Sequence, residues 1–296
     1  MLDDLAGKRT GERIQILRER RGLSRPVLAG LVTDARIATR AAEDQARRAA
    51  SAVLADVYAL VQHEVVWASE AELTWTAADR AMTAAQDADT PEALAGAAWT
   101  LGMVQRGAGD TDAALTLAQE AARLLEPRLE DAGDETRGLY GALQLHAATT
   151  AARAGREGDA WHHWDAASVT AERLPDGYYH PWTMFGAANV KLHAVSISAD
   201  LSRSAEARNR AEEIDPEEIP SRERRARLGV EIARSYHQRH DYPAMLHWLE
   251  TAYATSADSV RYSPTARQMT ADAVDHGGPL ISRRARSLAG SIGLPL

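Results

Sequence analysis

The chain has no cysteine, which excludes a disulfide framework, a cysteine metal site and a thiol nucleophile. Phenylalanine occurs once in 296 residues, and alanine carries much of the apolar share instead of large side chains. No apolar run reaches the roughly 18 residues that a membrane-spanning helix needs. The start, Met1-Leu2-Asp3-Asp4, is acidic and has no apolar segment of the signal-peptide kind, so a cytoplasmic location is expected and no membrane partner. Also missing are a nucleophile elbow, a P-loop, a glycine-rich dinucleotide fingerprint and a His-Glu-x-x-His metal motif. The expectation is therefore a non-enzymatic chain with no cofactor, no catalytic residues and no metal site. His162 and His163 are adjacent, so on a helix they diverge by about 100°. His237 and His240 are three apart but have no clear third ligand nearby in sequence.

Hydrophobic residues make up 45% of the chain. The abundance of Ala, Leu, Arg and Glu favours helix, because these side chains lose little rotamer freedom there. No segment alternates as a strand would, so the fold class is all-α. Charge is uneven. Residues 1–50 carry 11 Lys/Arg against 7 Asp/Glu, about +4, which leaves about −12 of the net −8 for the rest. A basic head on an acidic body suits a DNA-facing N-terminus, since phosphate contacts supply most non-specific affinity; a solvated charged helix face has the same composition.

Within that head, Ile14, Leu17, Leu23 and Leu28 are spaced to face one side of two short helices. Gly22 offers a left-handed position to end the first, Ser24 caps the second, and Pro26 falls in its first turn, where the missing N–H costs nothing. Residues 11–28 resemble the opening of a helix-turn-helix of the xenobiotic-response-element (XRE), lambda-repressor-like type. The resemblance implies phosphate contacts by Arg21, Ser24 and Arg25 and a third helix reading the major groove. The expected Gly-Val-Ser-like turn is not found after Ala29, and Thr39 stands in an apolar slot of that third helix. Residues 32–50 read instead as one long Arg- and Ala-rich helix. The division is a partial helix-turn-helix over residues 1–32 and a repeat domain over residues 33–296.

The body carries the small-residue spacing of tetratricopeptide-like helix pairs, a turn residue followed by alanines five and twelve positions later. Gly109, Ala114 and Ala121 form one copy; Gly155, Ala160 and Ala167 form a second. Weaker copies turn at Ser202 and His240, and a degenerate one near Ser69. Turn-forming residues also mark loops at 87–91, 131–134, 175–177, 215–220 and 276–279. Stacked pairs of this type curve into a right-handed superhelix. Three blocks, Leu54-Ala55-Asp56-Val57-Tyr58, Ala97 to Gly102 and Gly158-Asp159-Ala160-Trp161, resemble actinobacterial regulators that join an XRE-type head to such a body. A longer fourth block, Gly177 to Gly186, followed by Asn189, Val190 and His193, does the same.

That last block gathers two Tyr, a His, a Trp and the only Phe at the start of a helix. In repeat superhelices the first helix of each pair lines the concave face, so Tyr179, Trp182, Asn189 and His193 are candidates for an effector groove. Trp99, Tyr140, Gln144 and His146 would stand on neighbouring first helices. The same side chains could instead fill the inter-repeat core. Arg283-Arg284-Ala285-Arg286 reads as a solvated terminal helix. Two functions follow. One is a transcriptional regulator whose repeats sense a peptide, a small molecule or a partner protein, and which binds DNA as a dimer. The other is a binding module that no longer reads DNA on its own and pairs with intact paralogues. Residues 29–45 discriminate them: a separate recognition helix supports the first, a continuous helix the second.

Overall fold

The computed structural model describes residues 25–66 and 71–295. Among these residues there are fourteen α-helices and no strand. In chain order they are α1 Arg25–Ala41, α2 Asp44–Val65, α3 Ala71–Ala88, α4 Pro91–Gly107, α5 Thr111–Leu125, α6 Asp134–Arg153 and α7 Glu157–Glu172. Then come α8 Ala187–Asp200, α9 Ser204–Glu212, α10 Arg222–His237, α11 Tyr242–Thr255, α12 Ala257–Arg261, α13 Pro264–His276 and α14 Gly278–Ser291. The fold is all-α, with helices packed in consecutive pairs.

Each of the four predicted turns in the described region is built the same way. Gly109, Gly155, Ser202 and His240 have φ of 89°, 72°, 62° and 58°. At each, the next N–H reaches back five residues: Asp110 to Gln105 O, Arg156 to Ala151 O, Arg203 to Ser198 O and Asp241 to Tyr236 O, at 2.8–3.1 Å. The turn residue's own N–H bonds three residues back, completing a Schellman turn. Asp110 and Asp241 then cap the following helix through Ala113 and Ala244 N–H. Ala114, Ala160 and Ala207, five residues after their turns, are fully buried; a methyl at the crossing lets paired helices approach closely. The degenerate turn at Ser69 lies outside the described residues.

Only glycine occupies the left-handed region without a Cβ penalty, so Ser202 is strained. Ser202→Gly is expected to raise stability by about 1 kcal/mol, read as a higher urea midpoint at unchanged slope.

The N-terminal elements differ from expectation. Residues 32–50 do not form one helix: α1 passes through Val32 unbroken but stops at Ala41, and α2 begins at Asp44. Glu43 is extended at φ −121°, ψ 155°, and Asp44 has φ 46°. Ala42 N–H closes the last turn on Ala38 O, and Arg47 Nε donates to Ala42 O at 3.1 Å, satisfying a terminal carbonyl. Two residues of non-helical backbone thus turn α1 back onto α2, against which it packs. Arg21 and Ser24 lie outside the described residues; Arg25 opens α1.

Contacts divide the chain into two compact units. Of the described residues, the first holds those up to Thr150 with Asp165–Gly186, the second Ala151–Trp164 with those from Ala187 onward. In the first unit Ala55, Tyr58, Ala81, Ala84, Ala85 and Ala97 form an alanine-rich core, joined by Val32 of α1. The second unit uses larger side chains, with Met245, Leu246, Leu249, Met269, Leu288 and Ile292 in one cluster and Leu192, Val195, Leu228 and Ile232 in another.

Candidate functional site

In the first unit, α6 carries Gly138 and Gly141 one turn apart, and the segment between α7 and α8 folds into the hollow they leave. Phe185 is fully buried, and its ring occupies the space of a side chain at position 141: a Cβ there would lie 2.0 Å from Phe185 Cζ. His180 covers Gly138, where a Cβ would meet its Cδ2 and the Tyr178 hydroxyl at 3.0 Å. Tyr178 donates its hydroxyl proton to Asp134 O at 3.0 Å.

The segment is not helical; it is closed on itself. His180 N–H donates to Phe185 O at 2.8 Å and Met184 N–H to His180 O at 2.9 Å. His180 Nδ1 accepts from Trp182 N–H and Thr183 N–H at 3.2 and 3.1 Å. Met184 takes the left-handed turn at φ 60°.

This loop sets Trp182 among aromatic rings of the first helices. Trp182 stands edge-on to Trp99 of α4, with centroids 6.4 Å apart, and 5.8 Å from His63 of α2, both attractive geometries. The structure thus brings the predicted residues Trp99 and Trp182 together. Tyr140 and Gln144 share a side-chain hydrogen bond on α6. His146 is buried against Gly102 with Nδ1 3.2 Å from Arg106 Nη1. Tyr179 is half-buried on the loop. Asn189 and His193 belong to the second unit, where they share a face of α8, His193 Nδ1 lying 2.8 Å from Asn189 O.

Sequence reasoning missed His63 and Asp56. They lie seven residues apart on α2, hence on one face, a spacing visible in the sequence. The Asp56 side chain is exposed to water. The surrounding protein, and after it the negative charge of Glu135, raise its carboxyl above the ordinary carboxylate range. Burial, with Glu135 and Asp134, pushes the Tyr178 hydroxyl up to about 12, so it remains a donor. The result is a cluster of aromatic rings from α2, α4 and the loop. A separate cleft of about 610 Å³ opens between α2 and α3, lined by Leu54, Tyr58 and Trp75 among others, and shares no residue with the predicted groove. Among the described residues no group of three or more His, Asp or Glu could hold a metal ion, and no helix is long and apolar enough to cross a membrane.

Burial pulls the His180 imidazole down to about 4, and a neutral ring is what allows Nδ1 to accept two N–H groups. At pH above about 6.5 the ring is neutral in both folded and unfolded chains. As pH falls from there toward 4, only the unfolded chain takes up the proton, so stability is lost. The expected loss is about 3 kcal/mol by pH 4. His180→Asn, which keeps an acceptor but does not titrate, should flatten that part of the pH profile in thermal melts. An unchanged acid slope would rule out His180 as its source.

No protein-family model matches the chain, and no curated protein sequence matches it. Among solved structures, the crystal structure of BtubC (BKLC) from P. vanneervenii is similar at 16% identity and a TM-score of 0.47. The match covers 80% of this chain and 94% of that one; at that distance it bears on neither family nor activity.

Proposed function

We propose that the chain is a helical-repeat protein of the XRE-plus-tetratricopeptide regulator type that binds an effector and does not read DNA on its own. Its repeats take a peptide, a small molecule or a partner protein, and intact paralogues supply the operator-reading heads. The observation that carries this reading is the unbroken course of α1 from Arg25 to Ala41. A reading helix needs a turn after the helix that buttresses it; α1 has none after Ala29, where the resemblance places it, and the one break within residues 29–45, at Ala42 and Glu43, leads directly into α2 of the repeat body.

The test is a salt-dependent titration of the full chain on its own promoter and on an unrelated duplex. Weak binding, equal on both and lost with salt, is the expected result, since only phosphate contacts would remain. A preference for the promoter of more than about 10³-fold would overturn the proposal in favour of an autonomous regulator.

A further inference from the structure

The cleft between α2 and α3 of the first unit has a volume of about 610 Å³, within the roughly 300–1,000 Å³ of small-ligand sites. Its two walls differ. Helix α2 contributes Leu54 and Tyr58, and α3 contributes Trp75, Asp79, Arg80 and Asp87 among others. Trp75 is 40% exposed, although the core beside it is built mainly from alanine.

Tyr58 is the recessed member. Only 8% of it is exposed, and it packs into that core with Ala55, Ala81 and Ala84. Its hydroxyl nonetheless makes no hydrogen bond among the described residues. The hydroxyl oxygen is not among the polar atoms sealed from water without a partner, so the small accessible part of the side chain includes it, and the side chain lines the cleft. Buried polar side chains are as a rule hydrogen-bonded. A recessed hydroxyl facing a cleft, its donor and acceptor both unused by the protein, is a bonding position for a ligand.

The charged side chains narrow the ligand's chemistry. Among the described residues Asp79, Arg80 and Asp87 enter no ion pair and no side-chain hydrogen bond. An anion entering the cleft would meet two carboxylates, and a cation would meet the guanidinium group. A neutral ligand rich in hydroxyls suits both, because each hydroxyl can donate to a carboxylate and accept from a guanidinium N–H. Trp75 lies one turn before Asp79, about 6 Å along the helix axis. An indole face carries partial negative charge and attracts the slightly positive C–H groups of a sugar ring. Asp87 stands eight residues beyond Asp79, about 12 Å further along, within reach of a second ring.

We propose that this cleft binds a neutral saccharide of one or two rings. One ring stacks on Trp75 with its hydroxyls on Tyr58, Asp79 and Arg80, and a second reaches Asp87. The site goes beyond the effector reading of the repeats and shares no residue with the groove around Trp99 and Trp182. Its test is therefore separate from the DNA titration.

The experiment is saturation-transfer difference NMR of the full chain with glucose, galactose, mannose, maltose, cellobiose and trehalose, each titrated in turn. At least one is expected to give a saturable signal. Raising the salt from about 50 to about 500 mM should leave its affinity unchanged, because a neutral ligand has no ionic attraction to screen. Trp75→Ala should abolish the signal. Tyr58→Phe should weaken binding about tenfold, the worth of one hydrogen bond. The Tyr58 hydroxyl bonds nothing in the fold, so that variant's melting temperature should stay where it was, a result that a structural role for the hydroxyl would not give. Spermidine and citrate, run alongside, present the charged alternatives. Salt-sensitive binding of either, lost in Trp75→Ala and with no sugar bound, would overturn the saccharide assignment. No saturable signal from any of the sugars, or a signal unchanged in both variants, would overturn the site.

Discussion

Phe185→Ala is expected to cost the first unit about 3–5 kcal/mol, the range for emptying a buried aromatic site. The ring is fully buried and seated over Gly141. The backbone around it cannot easily collapse, because the His180–Phe185 and Met184–His180 bonds hold the loop closed. The loss should have a local signature beyond the melting curve. With Phe185 gone, nothing anchors the loop at Gly141, and Trp182 should leave its edge-on contact with Trp99, changing tryptophan fluorescence before global unfolding. Gly141→Ala approaches the same contact from the other side: its methyl would lie inside the ring, so Phe185 must move. Parallel fluorescence changes in the two variants would locate the effect at this contact. A Phe185→Ala melt within about 1 kcal/mol of wild type would show that the loop is not held as described.

A loss of about 1–3 kcal/mol is expected from Asp200→Ala in the second unit. Asp200 is 5% exposed and takes Arg234 at 2.6 Å. Removing it strands a part-buried guanidinium with Glu231 at 3.5 Å as its remaining carboxylate and withdraws the partner of Arg153. The cost comes from the charge left behind, more than from the attraction lost. A control of equal bond length makes the point. Arg203 also sits 2.6 Å from a carboxylate, that of Glu157, but both are open to water. Arg203→Ala should leave the urea midpoint nearly where it was, because exposed pairs contribute little. If the two substitutions cost the same, burial is not what makes the Asp200 network matter.

The repeat turns were legible in the sequence because they depend on local chemistry. A left-handed residue and the alanine five positions on are written within a few residues of each other, and the reading held even where serine or histidine replaces glycine. The course of α1 and α2 was less legible. Ala- and Arg-rich sequence favours helix on both sides of Ala42, and nothing near it is a strong breaker, so the two-residue interruption left no mark in composition. The Tyr178–Phe185 segment was recognisable as important but not divisible. Aromatics that fill a core and aromatics that line a groove are the same residue types. What separates Phe185 and His180 from Trp182 is the pair of glycines on α6, more than thirty residues away in the chain. His63 was passed over because an isolated histidine on an alanine-rich helix carries no motif. Asn189 and His193 were placed on one face correctly, but the arginines that pair with Asp200 of the same helix come from α6 and α10, which periodicity within α8 cannot reveal.

The fit of Phe185 over Gly141 also has an evolutionary reading. Neither position can drift alone: a larger residue at 141 evicts the ring, and a smaller one at 185 opens a void. In an alignment of relatives the two should therefore vary together or not at all, with Gly138 tied to His180 by the same steric logic. Such a linked set, a Gly-x-x-Gly on one first helix and a His and Phe ahead of the next, would serve as a search pattern. It could find other chains that fold a loop against their own repeats, even where overall identity has decayed too far to align them.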